Sequence, residues 1–352
     1  MSPLVAASFP GEPSYSSGSL CQPSSAMTPP GQEPCPRLRY LSAWGARDPT
    51  AYRTSMGLPL NLDRDVDRLR ERLGRGLFTM VAGPEGPRNR TRIHEAPGPR
   101  WFAEDRPIRR VHGDASMFVG GLRALLLQSL HPLAMAGVAQ HSDYRGDPWG
   151  RLQRTSTFLA VTTFGTATDA RRAVDKVRGI HRRVHGTAPD GRAYRADDPH
   201  LLQWVHIAEV DSFLLAYQLY GAAPLDQDGR DAYVADTARV ATALGVLDPP
   251  RTEAELRARI ADYRSELRST EAAREAARFL LVTPPLPLMA RLPYGVIAAT
   301  SVAMLPAWAR LPLRLPYLPP VEATAIRLSG RVLVSGIRWA LEADQPESLA
   351  AR

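Results

Sequence analysis

The run Met117 to Val138, "MFVGGLRALLLQSLHPLAMAGV", constrains this chain more than any other stretch. It is strongly apolar and must be buried. Pro132 has no backbone N–H to give the preceding turn, so a helix built from this run is expected to kink or break there. It is not a membrane span, because no stretch of the chain reaches the roughly 18 uninterrupted apolar residues a span needs. The nearest other candidate, "GVIAATSVAMLPAW" from Gly295, is too short and reads as a core helix or an interfacial segment.

Segments of helical period surround this run. "RLQRTSTFLAVTTFG" stops at Gly165, and "TDARRAVDKVRGIHRRVHG" opens at a candidate Thr168 cap and stops at Gly186. "HLLQWVHIAEVDSFLLAYQLYG" runs from His200 to Gly221, and "DGRDAYVADTARVATALGV" follows it. "TEAELRARIADYRSELRSTEAAREAARFLL" begins on a Thr252/Glu255 capping box. From Thr283 many prolines point to short helices and turns, closed by a helix near 323–341. Nearer the N-terminus, "DRDVDRLRERLGRG" reads as a helix ended by glycine, and "GPEGPRNRTRIHEAPGPRW" as a loop. Period-2 runs are nearly absent. The expected fold is all-α, a single multi-helix bundle. Residues 1–37, rich in Pro, Ser and Gly, are expected to be a disordered tail, since they cannot bury enough apolar surface to offset ordering. Residues 38–104 form N-terminal helices and loops, and 105–345 the main helical domain.

Several chemistries are excluded. The two cysteines, Cys21 and Cys35, both lie in the tail, which removes a Cys nucleophile and a thiolate metal ligand from the folded part. No G-x-S-x-G elbow, P-loop, G-x-G-x-x-G or H-E-x-x-H is present. The net charge of +8 comes from arginines spread along the chain, with no nucleic-acid module, so no nucleic-acid partner is expected. No basic-then-apolar leader opens the sequence. The expected location is the cytoplasm, with a peripheral membrane contact left open.

Histidine chemistry remains. In "VRGIHRRVHG", His181 and His185 stand four apart among arginines. The spacing matches a helical zinc pair, but Arg182 stands where a catalytic Glu would be, and cations oppose a dication. Val174, Val177, His181 and Val184 recur at spacings of three and four, which turns His181 inward. An inward histidine is most often a satisfied core residue. It is also a usable iron ligand, and the nearby arginines suit the carboxylates of a haem. Both readings stand on the residues alone. His206 on the following segment is a rival ligand or a group opposite it. His131 and His141 read as structural, His131 bonding a backbone carbonyl near the kink. Asp211 is placed to anchor an Arg, and Tyr217 and Tyr220 are core and rim aromatics.

The ordered series "LRALLLQSLHPLAMAGVAQHSDYRGDPWGRLQRTSTFLAVTTFG", "VRGIHRRVHG" and "LLQWVHIAEVDSFLLAYQLYG" resembles the oxygenase family that unites rubber oxygenases (latex clearing proteins) with MpaB-type oxygenases, over roughly residues 105–330. The resemblance implies a globin-related helical fold and a non-covalent haem b. It makes His181 the axial iron ligand and Arg178 its support. It places Arg151 and Thr155, four apart on one helix face, in the haem pocket. His185 and His206 are expected as further cofactor contacts beside them. It also implies O2 as co-substrate and oxidation or cleavage of a C=C bond in a lipophilic substrate. His185 stands where rubber oxygenases commonly carry an Arg, which points away from rubber. A haem- or lipid-binding protein without turnover is the alternative.

Overall fold

The computed structural model describes residues 62–342. The expected tail, 1–37, and the start of the 38–104 region lie outside the described residues. The helices, in chain order, are α1 (Leu62–Ala82), α2 (Gly86–Glu95), α3 (Pro107–His112), α4 (Met117–Gln128), α5 (Pro132–His141), α6 (Pro148–Phe164) and α7 (Ala167–His181). A short antiparallel hairpin follows, β1 (His185–Thr187) and β2 (Ala193–Arg195). Then come α8 (Pro199–Tyr220), α9 (Gln227–Leu244), α10 (Glu253–Tyr263), α11 (Glu271–Leu281), α12 (Leu288–Ala303), α13 (Ala307–Arg310), α14 (Pro319–Val321) and α15 (Arg327–Glu342). The fold is all-α, as expected.

The centre is α8 against α4. Gly120 lets the two backbones close. A Cβ there would sit 2.9 Å from Phe213 and 3.1 Å from the Ser212 carbonyl. Trp204, Ile207, Phe213 and Tyr217 of α8 join Leu126, Leu127 and Leu130 in the main core. Burying side chains of this size stabilises by roughly 1.5–3 kcal/mol each, which fixes α8 as an axis.

Pro132 does more than kink its run. It ends α4 outright, and α5 restarts at 106° to it. His131 is the N-cap of α5: its Nδ1 accepts from the Ala134 N–H at 3.5 Å rather than bonding a carbonyl. Among the described residues no single helix is long and apolar enough to cross a membrane.

Other elements differ from the sequence reading for local reasons. α1 passes through Gly74 and Gly76 and ends at Gly83, whose φ of +75° is left-handed. The stretch 86–95 is helix rather than loop, because Pro87 falls in the first turn, where its missing N–H costs nothing. Thr166, not Thr168, caps α7, accepting from the Asp169 N–H at 3.1 Å. The segment opening at the Thr252/Glu255 cap splits into α10 and α11. Between them the Arg268 N–H leaves the helical ladder for the Leu130 carbonyl, and Thr270 starts a new cap. Asp211 does anchor an Arg, reaching Arg123 at 2.8 Å, and Tyr217 and Tyr220 are both buried.

Candidate functional site

The site grows from the end of α7. The helix stops at His181, earlier than the Gly186 expected, because the chain turns into the β1–β2 hairpin. That hairpin closes with Ala196 N–H to the Val184 carbonyl at 2.8 Å. Its return brings Asp197 electrostatically close to His181. His181 Nδ1 is sealed from solvent without a hydrogen-bond partner. Burial lowers the pKa of the ring, and the weaker pull of Asp197 does not reverse this. His181 is therefore a neutral imidazole at pH 7, the form that ligates metals. The inward stripe is present: Val174 is buried and Val177 and Val184 are half-buried, while Arg182 and Arg183 are exposed.

Arg151, near the start of α6, is tied to the same hairpin by a chain of contacts. Its Nη1 donates to Ser142 Oγ at 2.8 Å, His141 Nε2 lies 3.0 Å from Tyr194 Oη, and Gln140 Nε2 donates to the Thr187 carbonyl at 2.9 Å. Burial lowers the Arg151 pKa, with the positive charge of Arg154 adding to the effect. Among the described residues no carboxylate forms an ion pair with it. A desolvated guanidinium without a counter-charge is costly, and it suits an anionic group brought in by a ligand.

His206 and Glu209 stand three apart on α8 and so share a face. Both keep some accessible surface. Even so, burial drives His206 down to about 4 and Glu209 up to about 7. His206 Nε2 has no hydrogen-bond partner.

The remaining expected residues lie differently. Thr155 is exposed, and its hydroxyl donates back to the Arg151 carbonyl at 3.0 Å. Arg178 is exposed and donates to the Ala243 carbonyl at 3.4 Å. His185 is exposed on β1, paired in register with Arg195. The structure thus sets His181, Arg151 and His206 inward and leaves Thr155, Arg178 and His185 at the surface.

Two groups whose pKa values burial shifts escaped the sequence reading. One is Glu209, although a carboxylate inside the apolar stretch "HIAEVDSFLLAY" is a readable signal. The other is His112, driven to about 3 by burial. Its Nδ1 lies 2.8 Å from Thr163 Oγ1 and its Nε2 3.3 Å from Tyr233 Oη. No sequence signal marks it, since its partners come from distant helices.

Comparison with known proteins gives the family. Over 100 residues the chain is 37% identical to "Uncharacterized protein Mb2261" of Mycobacterium bovis and, to the same extent, to "Uncharacterized protein Rv2237" of Mycobacterium tuberculosis. The match covers 28% of this chain and 38% of each relative. No solved structure matches the chain. The family model described as "ER-bound oxygenase mpaB/B'/Rubber oxygenase, catalytic domain" matches residues 109–339, which include every inward-facing group above. The chain belongs to the MpaB/rubber oxygenase catalytic-domain family.

Proposed function

We propose that this protein is a haem b-dependent oxygenase with His181 as the iron ligand, acting on a C=C bond of a lipophilic substrate with O2. The observation that carries the reading is the His181 ring: inward, neutral and with a buried nitrogen left unbonded. Histidine is a common axial ligand, and the family supplies the oxygenase class. Haem, where bound, supplies the dioxygen chemistry. The chain's own groups do the rest. Arg151 offers a desolvated guanidinium to a haem carboxylate. His206 and Glu209 place one neutral imidazole and one carboxyl that titrates near 7 on a single face, fit to hold or pass a proton. Exposed Leu288, Met289 and Leu292 on α12 offer an apolar approach for a lipophilic molecule.

The test is O2 uptake by haem-reconstituted protein supplied with isoprenoid and other long-chain alkenes. Alkene-dependent uptake that is lost in His181→Ala supports the oxygenase. Haem binding without uptake for any alkene overturns turnover and leaves a haem-binding protein.

A further inference from the structure

A second histidine cluster lies outside the residues the oxygenase reading uses. His131 caps α5, His200 sits in the first turn of α8, and Glu266 lies between α10 and α11. One ligand atom from each falls within 4.8 Å of the other two. His200 Nε2 is 2.9 Å from Glu266 Oε2, and His131 Nε2 is 3.4 Å from the same oxygen.

Proton placement makes this cluster unusual. The Tyr263 hydroxyl donates its one proton to the His200 carbonyl at 2.8 Å. Its oxygen also lies 3.1 Å from His200 Nδ1. With the hydroxyl proton on the carbonyl, the oxygen accepts from Nδ1–H, the tautomer that turns the Nε2 lone pair toward the carboxylate. In that tautomer two acceptors face each other at 2.9 Å, and a cation, either a second ring proton or a metal ion, belongs between them. His131 adds an independent sign. The residue is 1% exposed, and its Nε2 faces the same oxygen with no hydrogen-bond partner.

We propose that His131, His200 and Glu266 bind one divalent transition-metal cation, Zn2+ by donor set. With Zn–N and Zn–O bonds of about 2.0–2.1 Å, tetrahedral ligand atoms stand roughly 3.3 Å apart. The 2.9 and 3.4 Å separations bracket that edge. Two imidazoles and a carboxylate leave a fourth position open to water. The half-exposed His200 and Glu266 side chains form the solvent side, and His131 forms the floor. Burial also lowers the His131 pKa and so keeps that ring neutral. For Glu266, burial acts to raise the pKa, but the pull of His200 and His131 prevails and lowers it. Tyr263 would orient His200 from behind, in the way metal-bound histidines are usually held. Ligation through His131 Nε2 moves its ring proton to Nδ1. This gives up the Ala134 contact, which at 3.5 Å is near the long limit for a hydrogen bond. Arg192 is the nearby opposing cation, and Asp190 holds it at 2.8 Å. The ion would tie α5, α8 and the α10–α11 link together.

The test uses the full chain without affinity histidines, stripped with chelator and titrated with Zn2+ by calorimetry and with Co2+ by visible absorption. The expected result is one equivalent bound, with the absorption bands of low-coordinate Co2+. His200→Ala and Glu266→Gln should each weaken Zn2+ binding at least about tenfold, and Tyr263→Phe by about tenfold. His181→Ala should leave Zn2+ binding unchanged. Zn2+ uptake equal in the wild type and in a His200→Ala/Glu266→Gln double variant would overturn the proposal, and so would no uptake at all. Either result would assign the cluster to a proton.

Discussion

The protein holds two kinds of buried charge. Around α13 and α14, Arg310 is 3% exposed and fully engaged. It meets Glu322 Oε1 at 2.6 Å and donates to the carbonyls of Leu305 and Ala303. Arg123 is similar, bonded to Asp211, Ser212 Oγ and the Met304 carbonyl. Around α6–α8 the pattern reverses. Arg151 lacks a carboxylate, His181 and His206 each have a bare ring nitrogen, and Glu209 is desolvated. Native interiors satisfy nearly all their polar groups, so each of these exceptions calls for an explanation. The engaged charges hold the fold, and the unengaged ones are the groups the proposed function draws on.

Mutations that remove one member from each class sharpen this contrast. Arg310→Met leaves the half-buried Glu322 with only the Leu318 N–H and removes the donor to two carbonyls, and should lower unfolding stability by about 3 kcal/mol, read from urea melts. Glu209→Gln should do the opposite. Its carboxyl titrates at about 7 in the fold against 4.5 in the reference state. An acid with a raised folded pKa costs stability as pH climbs between those values, because the unfolded chain ionises first. Cofactor-free Glu209→Gln should therefore match the wild type below pH 4.5 and exceed it by up to about 3 kcal/mol at pH 7. A flat difference across that range would mean Glu209 is not desolvated. Thr163→Val removes the partner of His112 Nδ1 and should cost about 1–3 kcal/mol in thermal or urea unfolding. The smallest effect is expected at a surface cap. Thr252 accepts from the Glu255 N–H at 3.2 Å, and Thr252→Ala should cost about 1 kcal/mol.

Legibility in the sequence followed the range of the interactions. α6, α8 and α9 could be read because apolar period and glycine stops are local, and Gly165, Gly221 and Gly245 do follow their helices. The α10–α11 break could not, since the Leu130 carbonyl that captures Arg268 is remote in sequence. The β1–β2 hairpin has three-residue strands, too short for alternation to show. That hairpin ends α7 at His181 and delivers Asp197 to it. In the site, helical phase found His181. Phase could not show that Arg178 and His185 would turn to the surface, because His185 is no longer on the helix. The Tyr263–His200 contact beside the second histidine cluster joins residues far apart in sequence and carries no motif.

The central claim is that His181 holds a haem iron. Its most direct test is the absorption spectrum of purified protein titrated with haemin, compared between wild type, His181→Ala and His185→Ala. The account predicts a Soret band saturating at one haem per chain in the wild type, retained in His185→Ala and lost or shifted to that of unligated haem in His181→Ala. An unchanged Soret band in His181→Ala would contradict it, as would a wild type that takes up no haem.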